Sequence, residues 1–147
     1  MLPVLLVITA TFIPLTTFLA TSWATQRIQT RLQDTSRQLA DTIGQLYFSV
    51  NQTQIAAGIV SQTSIVPTNI ENYMYTGTGS LTSASGPNSV KILVINLSIQ
   101  SGRITATTSI PLGVNVRWTN SVFVSNSPTA AILLQKYSNG TITISFR

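Results

Sequence analysis

The first 26 residues of the chain carry no charged side chain, and the first charge is Arg27. Leucine, valine, isoleucine, phenylalanine, alanine and threonine dominate this segment, residues 1–26, which we call the arm. A helix of about 26 residues is about 39 Å long, enough to cross the hydrocarbon core of a bilayer with some tilt. A helix that is apolar on every side must be buried, either in lipid or in protein.

Three interpretations of the arm compete: a cleaved secretory signal, a simple membrane anchor, or a helix that leaves the membrane to pack against copies of itself. The sequence disfavours the first, because the chain starts MLPV and a secretory signal begins with basic residues. The apolar run also exceeds the usual signal core of about 7–15 residues. Pro14 should kink or locally open the helix, and Trp23 would suit a membrane interface.

Helical periodicity continues beyond the arm. Apolar or small residues recur there at spacings of three and four, which is the pattern of one narrow coiled-coil-like stripe. The stripe comprises Ile28, Leu32, Thr35, Leu39, Thr42 or Ile43, Leu46 and Val50. We therefore predict one helix from about residue 2 to about residue 50, near 75 Å long, whose first half projects from a domain of about 95 residues.

The remainder of the chain has the pattern of strands and turns. Residues 55–60 are ambiguous between a last helical turn and a first strand, and residues 61–89 are expected to be exposed loops in which only residues 72–76 resemble a strand. Later strands are predicted at residues 90–99, 104–110, 114–119, 122–124, 130–137 and 141–146.

Turn signals divide these later strands. Pro111 and Gly113 are expected to break the second of them, and residues 114–124 to form a short hairpin around Asn120. Asn139-Gly140 is the strongest short hairpin signal in the chain.

About six or seven short strands in this space predict a Greek-key or immunoglobulin-like sandwich. The predicted fold class is α+β, with a long N-terminal helix (residues 1–52, apolar over 1–26 and amphipathic over 27–50) and a C-terminal antiparallel β-sandwich of immunoglobulin-like type (residues 53–147).

The composition argues against an enzyme. The chain has no cysteine, no histidine and only three carboxylates, Asp34, Asp41 and Glu71. Asp34 and Asp41 are two helical turns apart, about 10 Å, which exceeds the separation of glycosidase carboxylate pairs. We predict no catalytic residue, no cofactor and no metal. The eight lysines and arginines are spread singly, so we also predict no nucleic-acid partner.

Three Asn-x-Ser/Thr sequons begin at Asn51, Asn96 and Asn139. The motif arises often by chance in a chain rich in serine, threonine and asparagine. Asn51 and Asn139 are expected to be exposed, at the junction after the helix and at a hairpin tip. Asn96 lies in a predicted central strand and is the weakest of the three N-glycosylation candidates. Asn139 also fits a left-handed turn position with or without sugar.

An apolar N-terminal helix with no preceding charge, running into an amphipathic helix and a cysteine-free, Ser/Thr-rich sandwich, resembles the archaeal type IV pilins and the related archaellins. The resemblance covers the whole chain as an architecture and rests mainly on residues 1–50. Leu5 stands where bacterial type IV pilins usually carry a glutamate, and the chain has no cysteine loop. Archaeal members of the family commonly lack both features. The resemblance implies that a dedicated prepilin peptidase removes a short basic leader from the membrane-inserted precursor.

In that family the helices bundle in the filament core and the β domains form its outer sheath. The resemblance thus implies a structural subunit of an extracellular, cell-surface adhesion filament. Its partners would be identical subunits, the membrane before assembly, the pilus assembly machinery and attached glycans. The alternatives are an archaellin of a motility filament and a membrane-anchored immunoglobulin-like binding module. The expected helix assembly interface is Leu2, Leu5, Leu6, Ile8, Phe12, Ile13, Leu15, Phe18, Leu19, Trp23, Ile28, Leu32 and Leu39.

The scarcity of titratable groups predicts that stability depends weakly on pH between about 2 and 7. A carboxylate whose pKa is depressed by folding stabilises the protein at neutral pH, and that contribution is lost as pH falls. Only three carboxylates are present to do so, and no histidine can gain charge. Chemical unfolding across this range should give nearly constant free energies. A large loss on acidification would contradict the prediction.

Overall fold

A computed structural model describes residues 2–63, 66–86, 88–99 and 102–147, without the side chains of residues 2–13 and 15. One helix, α1, spans Leu2–Val50 and includes Pro14, which confirms the predicted helix from about residue 2 to about residue 50. At 1.5 Å per residue it is about 73 Å long. The hydroxyl of Thr17 donates to the carbonyl of Pro14 at 3.0 Å.

Eight strands lie in the described part of the chain, more than the six or seven expected. They are β1 Gly58–Thr63, β2 Tyr75–Ser83, β3 Lys91–Ile99, β4 Ile104–Leu112, β5 Val116–Trp118, β6 Val122–Val124, β7 Ala131–Lys136 and β8 Ile142–Phe146. One sheet has the order β1-β7-β8-β5 and the other β4-β3-β2-β6. All pairings are antiparallel except that of β5 with β8. The fold is α+β, with one long N-terminal helix and two mostly antiparallel sheets.

The prediction of exposed loops over residues 61–89 was wrong for residues 61–63, which belong to β1, and for β2, which lies between β3 and β6 in its sheet. The glycines of this strand provide space for neighbouring side chains. A Cβ on Gly77 would lie 2.8 Å from Cδ2 of Leu97, and one on Gly79 would lie 2.7 Å from two atoms of the Trp118 ring. Glycine here indicates close approach within a strand rather than a loop.

Two other strand predictions need correction. Pro111 does not break the strand, because β4 continues to Leu112. β4 is an edge strand, where a residue without an N–H is tolerated if its nitrogen faces away from the ladder. The predicted hairpin of residues 114–124 is also wrong, since β5 pairs with β8 and β6 pairs with β2 in the other sheet. The β7–β8 hairpin around Asn139-Gly140 is confirmed.

The second half of α1 packs against the sheets, chiefly along β4 with further contacts to β3 and β7. Its buried apolar residues are Ile28, Leu32, Leu39, Ala40, Ile43, Tyr47 and Val50. They belong to one continuous core with residues of both sheets. Across the two sheets, the rings of Phe123 and Phe146 are 5.6 Å apart.

Hydrogen bonds from buried side chains fix the end of the helix. The hydroxyl of Tyr47 donates to Oδ1 of Asn115 and accepts from the N–H of Gly113, both at 3.1 Å. Lys136, a buried residue of β7, donates to the carbonyl of Gln52 at 2.8 Å, just beyond the helix. A cation there complements the negative end of the helix dipole. The last turn of α1 has no basic residue of its own, so Lys136 supplies this charge from β7.

The packing of Gly79 against Trp118 predicts that Gly79→Ala lowers the free energy of unfolding by about 1–3 kcal/mol, the usual cost of overpacking. Gly58→Ala is the matched control, because a Cβ at Gly58 has nothing within 4 Å. Denaturant unfolding of both variants measures the difference. Equal stabilities for the two variants would contradict the proposed packing role of Gly79.

Candidate assembly surface

The arm projects beyond the contacts that bury the rest of α1. Side chains of residues 14 and 16–26 are exposed, apart from half-buried Ala24, and Arg27 is exposed too. The first buried side chain along the described helix is Ile28, which is 6% exposed. The described part of the arm is therefore not covered by the chain's own sheets.

Three large apolar side chains stand on this uncovered segment. Phe18 is 69% exposed, Leu19 is 43% exposed and Trp23 is 70% exposed. Leu19 and Trp23 are four residues apart, so they lie on the same side of the helix. Scattered single apolar residues are ordinary on a protein surface, but neighbouring ones on a projecting helix indicate an interaction surface.

Thr21 and Thr25, two threonines of the arm, bond within the helix. The hydroxyl of Thr21 donates to the carbonyls of Thr17 and Phe18, each at 2.9 Å. Thr25 does the same to the carbonyl of Thr21, also at 2.9 Å. Because these protons are used inside the helix, the threonines can meet an apolar surrounding without an unpaired donor.

Three residues of the predicted assembly interface were assigned wrongly. Ile28, Leu32 and Leu39 are 6%, 0% and 1% exposed, buried in the core of their own chain. The coiled-coil-like stripe therefore covers the domain's own sheets and is not available to another copy. Phe18, Leu19 and Trp23 remain accessible. Seven predicted interface residues lie outside the described side chains: Leu2, Leu5, Leu6, Ile8, Phe12, Ile13 and Leu15.

The base of the arm is held to the domain by polar contacts that sequence reasoning missed. The Nε atoms of Arg27 and Arg31 lie 3.0 Å and 3.7 Å from Oε1 of Glu71. Glu71 has a φ of +47° and Asn72 a φ of +71°, in a tight turn closed by paired backbone hydrogen bonds between Ile70 and Tyr73. The partners are 40 or more residues apart in sequence, so no local pattern could reveal them.

All three sequon asparagines are exposed. The side-chain oxygen of Asn51 accepts from Nδ2 of Asn115 at 3.0 Å, and that of Asn139 accepts from the N–H of Thr141 at 3.0 Å. Asn96 is on the exposed face of β3, so its place within a strand does not hide it. The left-handed turn position belongs to Gly140, with φ +80°, and not to Asn139.

Within residues 2–63, 66–86, 88–99 and 102–147, no three acidic, histidine or cysteine side chains are grouped to hold a metal. In the same described ranges, no helical stretch meets the length and hydropathy needed to span a membrane. No protein family, curated protein or solved structure matches the chain.

The exposure of the arm predicts that removing residues 1–25 changes the unfolding free energy of the remaining chain by less than about 1 kcal/mol, as for surface changes. Removing residues 1–33 also deletes Ile28 and Leu32 and should cost several kcal/mol, since each buried aliphatic side chain contributes about 2–5 kcal/mol. Denaturant unfolding compares the two. A large loss in the shorter truncation would place the arm against its own domain.

Proposed function

We propose that this protein is a structural subunit of an extracellular helical filament, an adhesion pilus of the archaeal type IV kind. Phe18, Leu19 and Trp23, exposed on a helical arm that projects from its own core, carry the proposal. The arm needs an apolar surrounding, and copies of the same arm can supply it. Adhesion as the task, glycans at the exposed sequons and the location at the cell surface are parts of the proposal that rest on the resemblance.

A head-to-tail contact of the arm with the next copy would account for a filament. A helix that meets a different surface on the next copy makes a heterologous contact, and such contacts give an open helical filament when the rotation between copies does not close a ring. Burying a large apolar side chain contributes about 1.5–3 kcal/mol. The arm contains at least ten such side chains by sequence, so the summed burial can exceed the cost of ordering and association.

We also infer that the two sheets form an immunoglobulin-like sandwich, which would be the sheath of the filament. A ring contact between the sheets supports it, that of Phe123 in β6 with Phe146 in β8. The parallel pairing of β5 with β8 and the cover of α1 on β4 are its departures from a simple antiparallel sandwich.

Before assembly, we propose that the arm lies in the membrane and that a prepilin peptidase and the pilus machinery process and extract it. An archaellin would use the same arm in a motility filament. A membrane-anchored binding module would keep the arm in lipid and release single chains into detergent.

Phe18→Asp and Trp23→Asp should each abolish filaments, because each places a charge in the proposed core, at a burial cost of several kcal/mol. Val90→Asp is the matched control, since Val90 is an exposed apolar residue (49%) outside the helix. Electron microscopy and pelleting of the full-length chain report assembly, and circular dichroism reports folding.

Loss of filaments in the two arm variants, with normal folding and a normal control, supports the proposal. Normal filaments with Phe18→Asp and Trp23→Asp would contradict the buried arm. Discrete particles from the unmodified chain would favour the anchored module instead.

A further inference from the structure

Each of the two sheets has two edge strands: β1 and β5 in one, β4 and β6 in the other. An uncovered edge is a template for pairing with another chain, and proteins protect edges with covers, charges, proline or short length. β5 and β6 have three residues each, and β5 carries Arg117. Both strands are too short for a long ladder.

The helix covers the edge of β4. The side-chain amides of Gln29 and Gln33 donate to the carbonyls of Thr105 and Thr107, at 2.6 Å and 3.2 Å. Pro111 removes one more donor from the same strand. Three of the four edges are therefore protected.

Among the residues that the structure describes, the β1 edge has none of these protections. Its six residues, GIVSQT, include no charge and no proline. Five of the six are exposed and Gln62 is half-buried, so both faces of the strand meet solvent. Ile59 is 64% exposed and Val60 is 38% exposed. In the described part of the chain β1 pairs only with β7.

The ladder of β7 shows which groups of β1 are free. Ala131 exchanges both backbone hydrogen bonds with Arg147, just after β8. The N–H and C=O groups of odd-numbered residues in β7 therefore point to β8, and those of even-numbered residues point to β1. In register these are Ile132 with Gln62, Leu134 with Val60 and Lys136 with Gly58. The backbone groups of Ile59, Ser61 and Thr63 therefore face the open edge.

We propose that this edge binds β1 of a second copy, antiparallel, about a two-fold axis at Ser61. Ser61 then faces Ser61 of the second copy, and Ile59 faces Thr63 in both directions. These three pairs use every outward N–H and C=O from residue 59 to residue 63 and form six hydrogen bonds. The β-branched side chains of Ile59 and Thr63 become direct cross-strand neighbours.

A second copy is favoured as the occupant because β1 is complementary to itself in this register, and the position of β1 agrees with it. The chain has a formal charge of +5, which opposes the approach of two copies, and this repulsion is least at an uncharged strand. β1 begins beside Lys136, which contacts Gln52 just beyond the C-terminal end of α1. The contact is thus at the end of the helix opposite the arm and does not compete with it.

The consequence of this pairing for the assembly rests on the proposed function. A two-fold contact closes on itself and cannot extend a filament, so β1 pairing would join two filaments side by side. Many copies along each filament would add many weak contacts into one strong association.

A cysteine at the axis tests the pairing, because the chain has no cysteine of its own. Opposed residues of a hydrogen-bonded pair have Cα atoms about 5.5 Å apart, within the range of a disulfide. Full-length Ser61→Cys, mildly oxidised, should run mostly as a covalent dimer on a non-reducing gel. Ser80→Cys, an exposed serine of β2, is the control and should stay monomeric.

Ser61→Pro provides a second test. It removes an outward N–H without affecting the bonds to β7, so filaments should form but lose their side-by-side association in electron micrographs. Ser61→Ala keeps the N–H and should bundle normally.

No dimer above the Ser80→Cys control, or bundling that survives Ser61→Pro, would overturn the inference. The inference would also be overturned if Ser61→Cys gave no dimers and Ser61→Pro released a different protein that the unmodified chain binds. Single filaments without cross-linking would leave the proposed function intact. Cross-linked dimers from a chain that forms no filaments would support the β1 pairing and contradict the proposed function.

Discussion

The structure depends on how one helix divides its apolar surface. From Ile28 to Val50 the apolar stripe of α1 is buried in the core shared with the two sheets. From residue 16 to residue 26 the side chains of the same helix are exposed, apart from that of half-buried Ala24, and the large rings of Phe18 and Trp23 are among the exposed ones. A continuous helix transmits the direction of its anchored half to its free half, so the domain sets where the arm points.

Anchoring the helix also solves the problem of an open sheet edge. Gln29 and Gln33 replace the missing neighbour strand of β4 by donating to its outward carbonyls. At the other end, Tyr47 bonds with Gly113 and Asn115. Polar bonds with defined geometry thus fix the rotation of the helix, while the apolar stripe supplies most of the burial energy.

Sequence patterns predicted elements whose signals are local. The absence of charge before Arg27 indicated the arm, the three-and-four spacing indicated the helix, and Asn139-Gly140 indicated the last hairpin. Features that depend on distant neighbours were missed. Gly77 and Gly79 resembled loop residues because Leu97 and Trp118, which occupy their space, are far away in sequence. For the candidate site, periodicity identified the stripe of Ile28, Leu32 and Leu39 but could not say whether its own sheets or another copy would cover it.

Imaging the native, untreated assembly by electron cryomicroscopy at side-chain resolution tests the central claim most directly. The account predicts filaments in which arms of neighbouring copies touch one another and Trp23 is buried between them, with the sheets outside. Discrete particles, an arm held in lipid below a free domain, or an arm folded onto its own sheets would contradict it.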